Sequence, residues 1–325
     1  MPFLKRTKKV LLMGRCGAGK SSMRSIIFHN NVAKKTRDLE PTILWDNKTN
    51  VQFLGNLHLN LWDCGGFVTI NIYATLYGFT DKLISQDDSF NDYLTTYRNL
   101  IFKDVHVLIY VFDAISAELD KDIHYYQSCL ESILTHSPKA IVFCLMHKMD
   151  LIQEDRREKM FEKQKLELQV RSEPIQIQAF QTSIWDETLY AAWAKIIHCL
   201  IPNINELQAS LDTFCSICGA DEIVLFEKTT FLVIANSAAI HHPDAHRFEK
   251  ISSIIKQFNL CTRKEGYSKQ MEIKGSNFTA FFDSLTKNTS VLLIISDTDI
   301  TSAATQVNIA AARKHFEKLE SVESI

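Results

Sequence analysis

The sequence predicts an α/β domain built around a mostly parallel sheet, followed by a smaller α+β domain. Strand-like apolar runs alternate with longer amphipathic stretches through the first two hundred residues, which is typical of βαβ units. The alternation stops at Pro202-Asn203, and we place the domain boundary there, between residues 1–202 and 203–325. A chain of 325 residues is long enough for two domains.

The strands of the first domain are predicted from apolar runs, and its helices from helical periodicity. The strong runs end at Met13, Trp62, Phe112 and Met146. A weaker run covers Ile175–Phe180, and amphipathic helices are predicted over Asp122–Leu134 and Glu187–Leu200. This pattern predicts a sheet with helices on both faces.

The second domain has a different order of elements, α-β-β-α-β-β-β-α, which indicates one antiparallel sheet flanked by helices. Its predicted elements are a helix over Ile204–Ile217, strands over Glu222–Glu227 and Thr230–Ala235, a helix with Phe248, Ile251, Ile254, Ile255 and Phe258 on one face, strands over Gln270–Lys274, Phe278–Leu285 and Val291–Ser296, and a helix over Thr301–Leu319. No catalytic motif is recognised in this domain.

Composition limits the classes of function. The hydrophobic fraction of 46% and the charged fraction of 23% describe an ordinary globular protein. A net charge of −2 argues against nucleic-acid binding by bulk electrostatics. No apolar run approaches the roughly 20 residues that span a bilayer, so we expect no direct membrane insertion. Most cysteines stand inside apolar runs, as expected for reduced thiols of a cytoplasmic protein.

A glycine-rich loop follows the first predicted strand and precedes a helical pattern. Its residues are Gly14, Arg15, Cys16, Gly17, Ala18, Gly19, Lys20 and Ser21, with Ser22 next along the chain. The spacing G-x-x-x-x-G-K-[ST] lets backbone N–H groups surround a phosphate chain, with Lys20 reaching the β/γ-phosphates and the Ser21 hydroxyl available to Mg²⁺. The loop predicts a nucleotide-binding site.

Three further motifs stand at the ends of predicted strands. In Trp62-Asp63-Cys64-Gly65-Gly66, Asp63 is expected to hold Mg²⁺ through water, and the Gly66 N–H to meet a γ-phosphate. In His147-Lys148-Met149-Asp150, the Asp150 carboxylate can accept two hydrogen bonds from guanine that adenine cannot donate, and Lys148 can lie along the base. Thr182-Ser183-Ile184 is expected to form a further base-contacting loop, with Ser183 as its main contact.

Together these residues resemble the Rag family of Ras-like GTPases, of the A/B type, over nearly the whole chain. Long runs carry the resemblance: Ser22–Phe28, Phe53–Leu57, Leu59–Gly66, His124–Leu130, His147–Leu151, Thr182–Tyr190 and His246–Ile251. The resemblance implies a Ras-like G domain that binds GTP or GDP with Mg²⁺, followed by a roadblock/longin-like dimerisation domain. It also implies slow GTP hydrolysis.

The resemblance implies partners and a location as well. The implied partner is a C/D-type Rag GTPase in a heterodimer, attached peripherally to the vacuole or lysosome through a scaffold complex. The implied role is to signal amino-acid sufficiency to TOR complex 1 under the control of GTPase-activating regulators. The protein would then be cytoplasmic and bound to that membrane through the scaffold, with a nuclear pool also allowed.

The chain departs from the family in both switch regions. The family has Gln-Asp directly after the two glycines, whereas here the nineteen residues Phe67–Ser85 intervene before Gln86-Asp87. Gln86 is the candidate catalytic residue, which would orient the attacking water, and this insertion puts its position in doubt. The apolar segment is either a genuine insertion or a retained intron. In switch I, Pro41-Thr42-Ile43-Leu44-Trp45-Asp46 replaces the family's stretch, and Thr42 keeps the Mg²⁺ position.

Two alternatives to a cycling GTPase stay open at the level of sequence. The first is a scaffold subunit that binds GTP or GDP and has lost hydrolysis because of the insertion. The second is a P-loop metabolic kinase, which is disfavoured because no acceptor-substrate site or lid segment is recognised.

Overall fold

The computed structural model describes residues 6–40, 42, 45–54, 57–65, 98–239, 244, 247, 250–252, 254–256 and 270–321. The chain divides into two compact units. The first is made of Thr7–Val51 and Leu59–Ala192, and the second contains Trp193–Ile325. The domain boundary that we place at residues 202/203 stays a prediction.

The first unit contains a six-stranded sheet. Its strands are β1 (Arg6–Gly14), β2 (Trp45–Leu54), β3 (Leu57–Cys64), β4 (Val105–Asp113), β5 (Ile141–His147) and β6 (Ile177–Thr182), in the order β2-β3-β1-β4-β5-β6. The pairs β1/β4, β4/β5 and β5/β6 are all parallel. The predicted α/β class is therefore confirmed, and the carboxyl ends of these four strands share one edge of the sheet.

Helices connect these strands. Those of the first unit are α1 (Lys20–His29), α2 (Leu119–His136) and α3 (Glu154–Arg171), with 3-10 turns over Ala33–Asp38 and Met149–Leu151. Helix α4 (Thr188–His198) begins in the first unit and includes the residue at which the chain is divided. Residues 98–102 are also helical. The helices predicted over Asp122–Leu134 and Glu187–Leu200 are confirmed as α2 and α4. Sequence reasoning did not name α3, whose buried residues are only Phe161 and Leu168, so its apolar periodicity is weak.

The core of the first unit lies around β4 and β5, which are covered on both faces. Leu108–Val111 and Val142–Leu145 are fully buried. Strands buried on both faces are continuous apolar runs, and this is the pattern from which they were predicted.

The second unit contains a five-stranded antiparallel sheet with helices. Its strands are β7 (Glu222–Glu227), β8 (Val233–Ala238), β9 (Met271–Lys274), β10 (Thr279–Ser284) and β11 (Thr289–Ile295), in the order β8-β7-β11-β10-β9. All four strand pairs are antiparallel. Helix α5 (Ile204–Cys218) packs against β8 and against α6 (Ser302–Ser321). The predicted α+β class is confirmed.

Several boundaries in the second unit differ from the prediction: β8 ends at Ala238 rather than Ala235, and β11 begins at Thr289 rather than Val291. Two further differences have a clear physical reason. Strand β8 begins at Val233 rather than Thr230, because the Glu227 carboxylate accepts hydrogen bonds from the backbone N–H of Thr229 (2.9 Å) and of Thr230 (2.6 Å) and closes a turn there. The sequence predicts Ile254 and Ile255 on one apolar face of a helix, but Ile254 is 65% exposed while Ile255 is buried. Consecutive helical residues point about 100° apart, so only one of the two faces the core.

The helices in the described part of the chain are too short or too polar to cross a membrane. Phe248 and Phe258, predicted for the same apolar face, lie outside the described residues.

Candidate nucleotide-binding site

The glycine-rich loop connects β1 to α1 at the carboxyl edge of the parallel sheet. Gly14 has φ +138°, and a Cβ there would lie 2.3 Å from the Val111 carbonyl oxygen, so only glycine fits beside β4. Lys20 starts α1, and its Nζ donates hydrogen bonds to the carbonyl oxygens of Gly14 and Arg15, both at 2.8 Å. Burial lowers the pKa of Lys20, and the nearby Asp63 carboxylate opposes this shift. The loop thus wraps around a buried cation, as phosphate binding requires.

A cavity of about 180 Å³ opens beside this loop. Its walls come from the loop, from the start of α1 and from the segment that leads into switch I: Cys16, Gly17, Gly19, Lys20, Ser21, Ser22, Thr36, Leu39, Glu40 and Thr42. The structure therefore brings five of the predicted loop residues together with Ser22 and Thr42 around one space.

Three oxygen-bearing side chains that were predicted from separate motifs converge at the edge of this cavity. The Ser21 hydroxyl donates to Asp63 Oδ2 at 2.7 Å and lies 2.9 Å from Thr42 Oγ1, which is 3.4 Å from the same carboxylate oxygen. Asp63 is fully buried, and Arg24 Nε lies 3.7 Å from its Oδ2. Hydroxyl and carboxylate oxygens beside a phosphate site are the ligands that Mg²⁺ prefers. These residues fit the predicted metal.

The base-recognition motif lies at the ends of β5 and β6. The Ser183 hydroxyl donates a 2.7 Å hydrogen bond to Asp150 Oδ1 and accepts one from the Trp185 N–H at 3.0 Å. Ser183 is fully buried, and its own N–H donates to Thr188 Oγ1 at 2.9 Å, which holds the loop to the start of α4. Ile184, between these anchors, is half-buried. The arrangement orients the Asp150 carboxylate and leaves its second oxygen for a base.

Lys148 is held by a residue that sequence reasoning missed. Its Nζ donates to Asp113 Oδ2 at 2.6 Å, and its backbone takes the left-handed conformation with φ +65°. Asp113 is the last residue of β4 and pairs in register with His147. Its place at the end of a buried strand, on the same sheet edge as the other motifs, is the signal that could have identified it.

His147 lies between the base motif and the glycine-rich loop. Its Nδ1 is 3.0 Å from Thr182 Oγ1, and a Cβ on Gly19 would lie 2.6 Å from its Cδ2. Burial lowers the pKa of His147 to about 4, with Lys148 adding to the shift and Asp150 opposing it. The imidazole thus lies against the phosphate loop at Gly19.

The Arg15 side chain points away from the cavity. Its guanidinium forms an ion pair with Glu118, lies 3.4 Å from Ser116 Oγ, and approaches Asp122 Oδ1 to 3.9 Å. Its backbone, in contrast, takes part in the loop, because the Arg15 carbonyl accepts a 3.2 Å hydrogen bond from the Ala18 N–H. The motif predicts Arg15 as a phosphate-binding residue, and its side-chain partners are Glu118, Asp122 and Ser116.

Some predicted site residues lie outside the part of the chain that the structure describes. They are Gly66, the candidate catalytic residue Gln86, the segment Phe67–Ser85 and the switch I residue Pro41. The roles given to Gly66 and Gln86 stay predictions.

Comparison with known proteins agrees with this geometry. The Gtr1/RagA G protein conserved region matches residues 9–77 and 80–255. "Ras-related GTP-binding protein B" of Rattus norvegicus is 49% identical over 351 aligned residues, which cover 99% of this chain and 89% of the relative. "Ras-related GTP-binding protein A" of Dictyostelium discoideum is 51% identical and covers 96% of this chain and 97% of its own length.

More distant relatives and solved structures also match. "Ras-related GTP-binding protein C" of Homo sapiens is 25% identical over 242 residues, covering 71% of this chain and 53% of the relative. The solved structure of Myxococcus xanthus MglB covers 38% of this chain and 96% of its own at 12% identity and a TM-score of 0.33, which is too low to establish a fold. The near full-length matches and the conserved-region match agree, and the chain belongs to the Gtr1/RagA family of G proteins.

Proposed function

We propose that the chain is a guanine-nucleotide switch that binds GTP and GDP with Mg²⁺ and slowly hydrolyses GTP. The observation that carries the proposal is the Asp150 carboxylate, held by Ser183 at 2.7 Å at the same sheet edge as the buried Lys20 ammonium. A base-selecting acceptor and a phosphate-binding cation on one surface fit a guanine nucleotide. Membership of the Gtr1/RagA family decides against the metabolic-kinase alternative.

In this proposal the protein acts mainly by positioning. Lys20 and the N–H groups of Gly17–Ser21 hold the phosphates, and Asp150 selects guanine, because a charged acceptor left unpaired beside adenine costs about 1–3 kcal/mol or more. Bound Mg²⁺, held by Ser21 and Thr42 and through water by Asp63, would neutralise charge on the β- and γ-phosphate oxygens. Gln86 is the proposed residue that orients the attacking water.

We further propose that this switch works in a heterodimer with a C/D-type Rag GTPase. The second unit, with its antiparallel sheet and flanking helices, would be the roadblock-type dimerisation domain. The dimer would sit on a vacuolar or lysosomal scaffold and report amino-acid sufficiency to TOR complex 1. Similarity to A-, B- and C-named Ras-related GTP-binding proteins supports this assignment, which otherwise rests on the family resemblance.

A second candidate, a nucleotide-bound scaffold without hydrolysis, is favoured by one observation. Nineteen residues, Phe67–Ser85, separate Gly66 from Gln86, and ten of them are large and apolar: Phe67, Val68, Ile70, Ile72, Tyr73, Leu76, Tyr77, Phe79, Leu83 and Ile84. Such a segment would move Gln86 away from the γ-phosphate. Mature transcripts that join the Gly66 codon directly to the Gln86 codon would identify the segment as an intron.

Nucleotide binding and single-turnover GTP hydrolysis, compared between the full chain and a deletion of residues 67–85, test both candidates. We expect both proteins to bind GDP and to reject ADP. If only the variant that lacks residues 67–85 hydrolyses GTP, the full chain is a nucleotide-bound scaffold. If both proteins hydrolyse GTP, the scaffold candidate is rejected. Lys20→Ala should abolish binding, while Lys34→Ala, at an exposed lysine of the 3-10 turn Ala33–Asp38, should not. Failure of the full chain to prefer GDP over ADP would overturn the proposal.

A further inference from the structure

The guanidinium of Arg15 connects the phosphate-binding loop to the first turn of α2. It forms an ion pair with Glu118 and lies 3.9 Å from the Asp122 carboxylate, with Ser116 Oγ at 3.4 Å. All three partners lie more than 100 residues away in the chain, so this contact fixes the loop to a separate element. None of them belongs to a recognised nucleotide-binding motif.

Asp122 makes this contact more than a surface ion pair. Its side chain is only 1% exposed, and burial raises the pKa of its carboxyl group, whereas the Ser116 hydroxyl and Arg15 lower it. A buried carboxylate that loses its counter-charge is costly, so the position of Arg15 is strongly restrained by the protein interior. Glu118 adds a second, more exposed anion on the adjacent turn.

The two sides of Arg15 in the loop differ in how far they are restrained. Gly17 has φ +77°, and its Cα faces open space, with no atom within 4 Å of a Cβ placed there. In contrast, the Arg15 carbonyl accepts hydrogen bonds from Lys20 Nζ at 2.8 Å and from the Ala18 N–H at 3.2 Å. A shift of Arg15 therefore displaces the phosphate-binding cation and the loop backbone together.

We propose that Arg15 is a positioning residue whose contacts with Glu118 and Asp122 hold the phosphate-binding loop closed and slow nucleotide release. This inference rests on the proposed function, because it names a control on the same site. The inference gives the first turn of α2 a role in nucleotide retention, although none of its residues is predicted to contact the phosphates, the metal or the base. Changes in α2 would then alter nucleotide retention without touching the nucleotide.

The test is the rate of release of a fluorescent GDP from full-length variants, measured with the thermal unfolding midpoint. Arg15→Met keeps the length of the side chain and removes its charge. It should release GDP about tenfold faster, as expected for loss of the charge-assisted contacts with Glu118 and Asp122. Arg15→Lys should recover most of the retention. Lys121→Ala, which removes an exposed cation 3.0 Å from Glu118, is the matched control and should leave the rate within about twofold of wild type.

A double variant separates positioning from simple charge compensation. Asp122→Asn removes the buried charge, so Arg15→Met combined with Asp122→Asn should regain thermal stability. Release should nevertheless stay fast, because the loop is still not tied to α2. Recovery of both properties, or equal release rates for Arg15→Met and Lys121→Ala, would overturn the inference. Failure of wild type to retain GDP would instead overturn the proposed function.

Discussion

The imidazole of His147 lies directly against Gly19, so that a methyl group at Gly19 would be 2.6 Å from the His147 Cδ2 atom. The first residue of the base motif thus forms part of the support for the phosphate loop. Gly19 also has φ +99°, a conformation that residues with a side chain rarely adopt. Two separate physical reasons therefore require glycine at this position.

The first prediction separates these two reasons. Gly17→Ala introduces only backbone strain, because Gly17 has φ +77° and no neighbour within 4 Å of a Cβ. It should lower the free energy of unfolding by about 1 kcal/mol. Gly19→Ala adds the clash with the ring and should cost about 1–3 kcal/mol more. Urea unfolding of the two variants and wild type measures the difference, and equal losses would show that the ring contact carries no cost.

The second prediction concerns guanine selection. Asp150→Asn replaces the anionic acceptor by an amide, so GDP affinity should fall by about 100-fold or more through the loss of two charge-assisted hydrogen bonds. Ser183→Ala removes the 2.7 Å bond that orients Asp150, and affinity should fall by about tenfold. Calorimetric titration with GDP measures both effects. A Ser183→Ala variant that binds GDP as wild type does would show that Ser183 does not orient the carboxylate.

The third prediction concerns the salt bridge between Lys148 and Asp113. Asp113→Asn should weaken GDP binding about threefold, because the partly exposed pair is worth no more than roughly 1 kcal/mol. The effect should shrink as ionic strength rises, since salt screens the pair in the wild type. Asp120→Asn, an exposed aspartate in the first turn of α2, is the control. Equal affinities for the two variants would contradict a positioning role for Asp113.

The site motifs could be predicted from sequence because each joins a buried strand to residues whose chemistry is local. Gly14–Ser21, Asp63 and His147–Asp150 all follow apolar runs, and the parallel sheet brings the ends of such runs to one edge. The contact of Ser21 with Asp63 follows from that placement, whereas Thr42 follows no apolar run and stands before β2. The sequence therefore predicted which motifs meet at this edge of the sheet, and the roles of their residues stay predictions.

The partners of these motifs could not be predicted, because they depend on how separate elements pack. Arg15 contacts Glu118 and Asp122 only because α2 lies beside the loop, and no sequence motif indicates that these two elements are neighbours. The lowered pKa of His147 depends in the same way on burial by the elements packed around it. Ile254 shows the same limit for the core, since a periodicity of apolar residues does not say which of two neighbours faces inward.

The last prediction uses the buried His147. Its pKa is lowered to about 4 in the folded protein, whereas a solvated histidine titrates near 6.5. Between these values the unfolded chain binds more protons than the folded one, so this residue's contribution to stability is complete above pH 6.5 and is lost as pH falls to 4. The loss amounts to about 3 kcal/mol. His147→Asn should remove this part of the pH dependence, whereas His124→Asn, an exposed position on α2, should not. Urea unfolding at pH 4.5 to 8 measures how the free energy of unfolding changes with pH. Parallel curves for wild type and His147→Asn would contradict the prediction, because they would mean that the imidazole binds a proton as readily in the folded protein as in the unfolded chain.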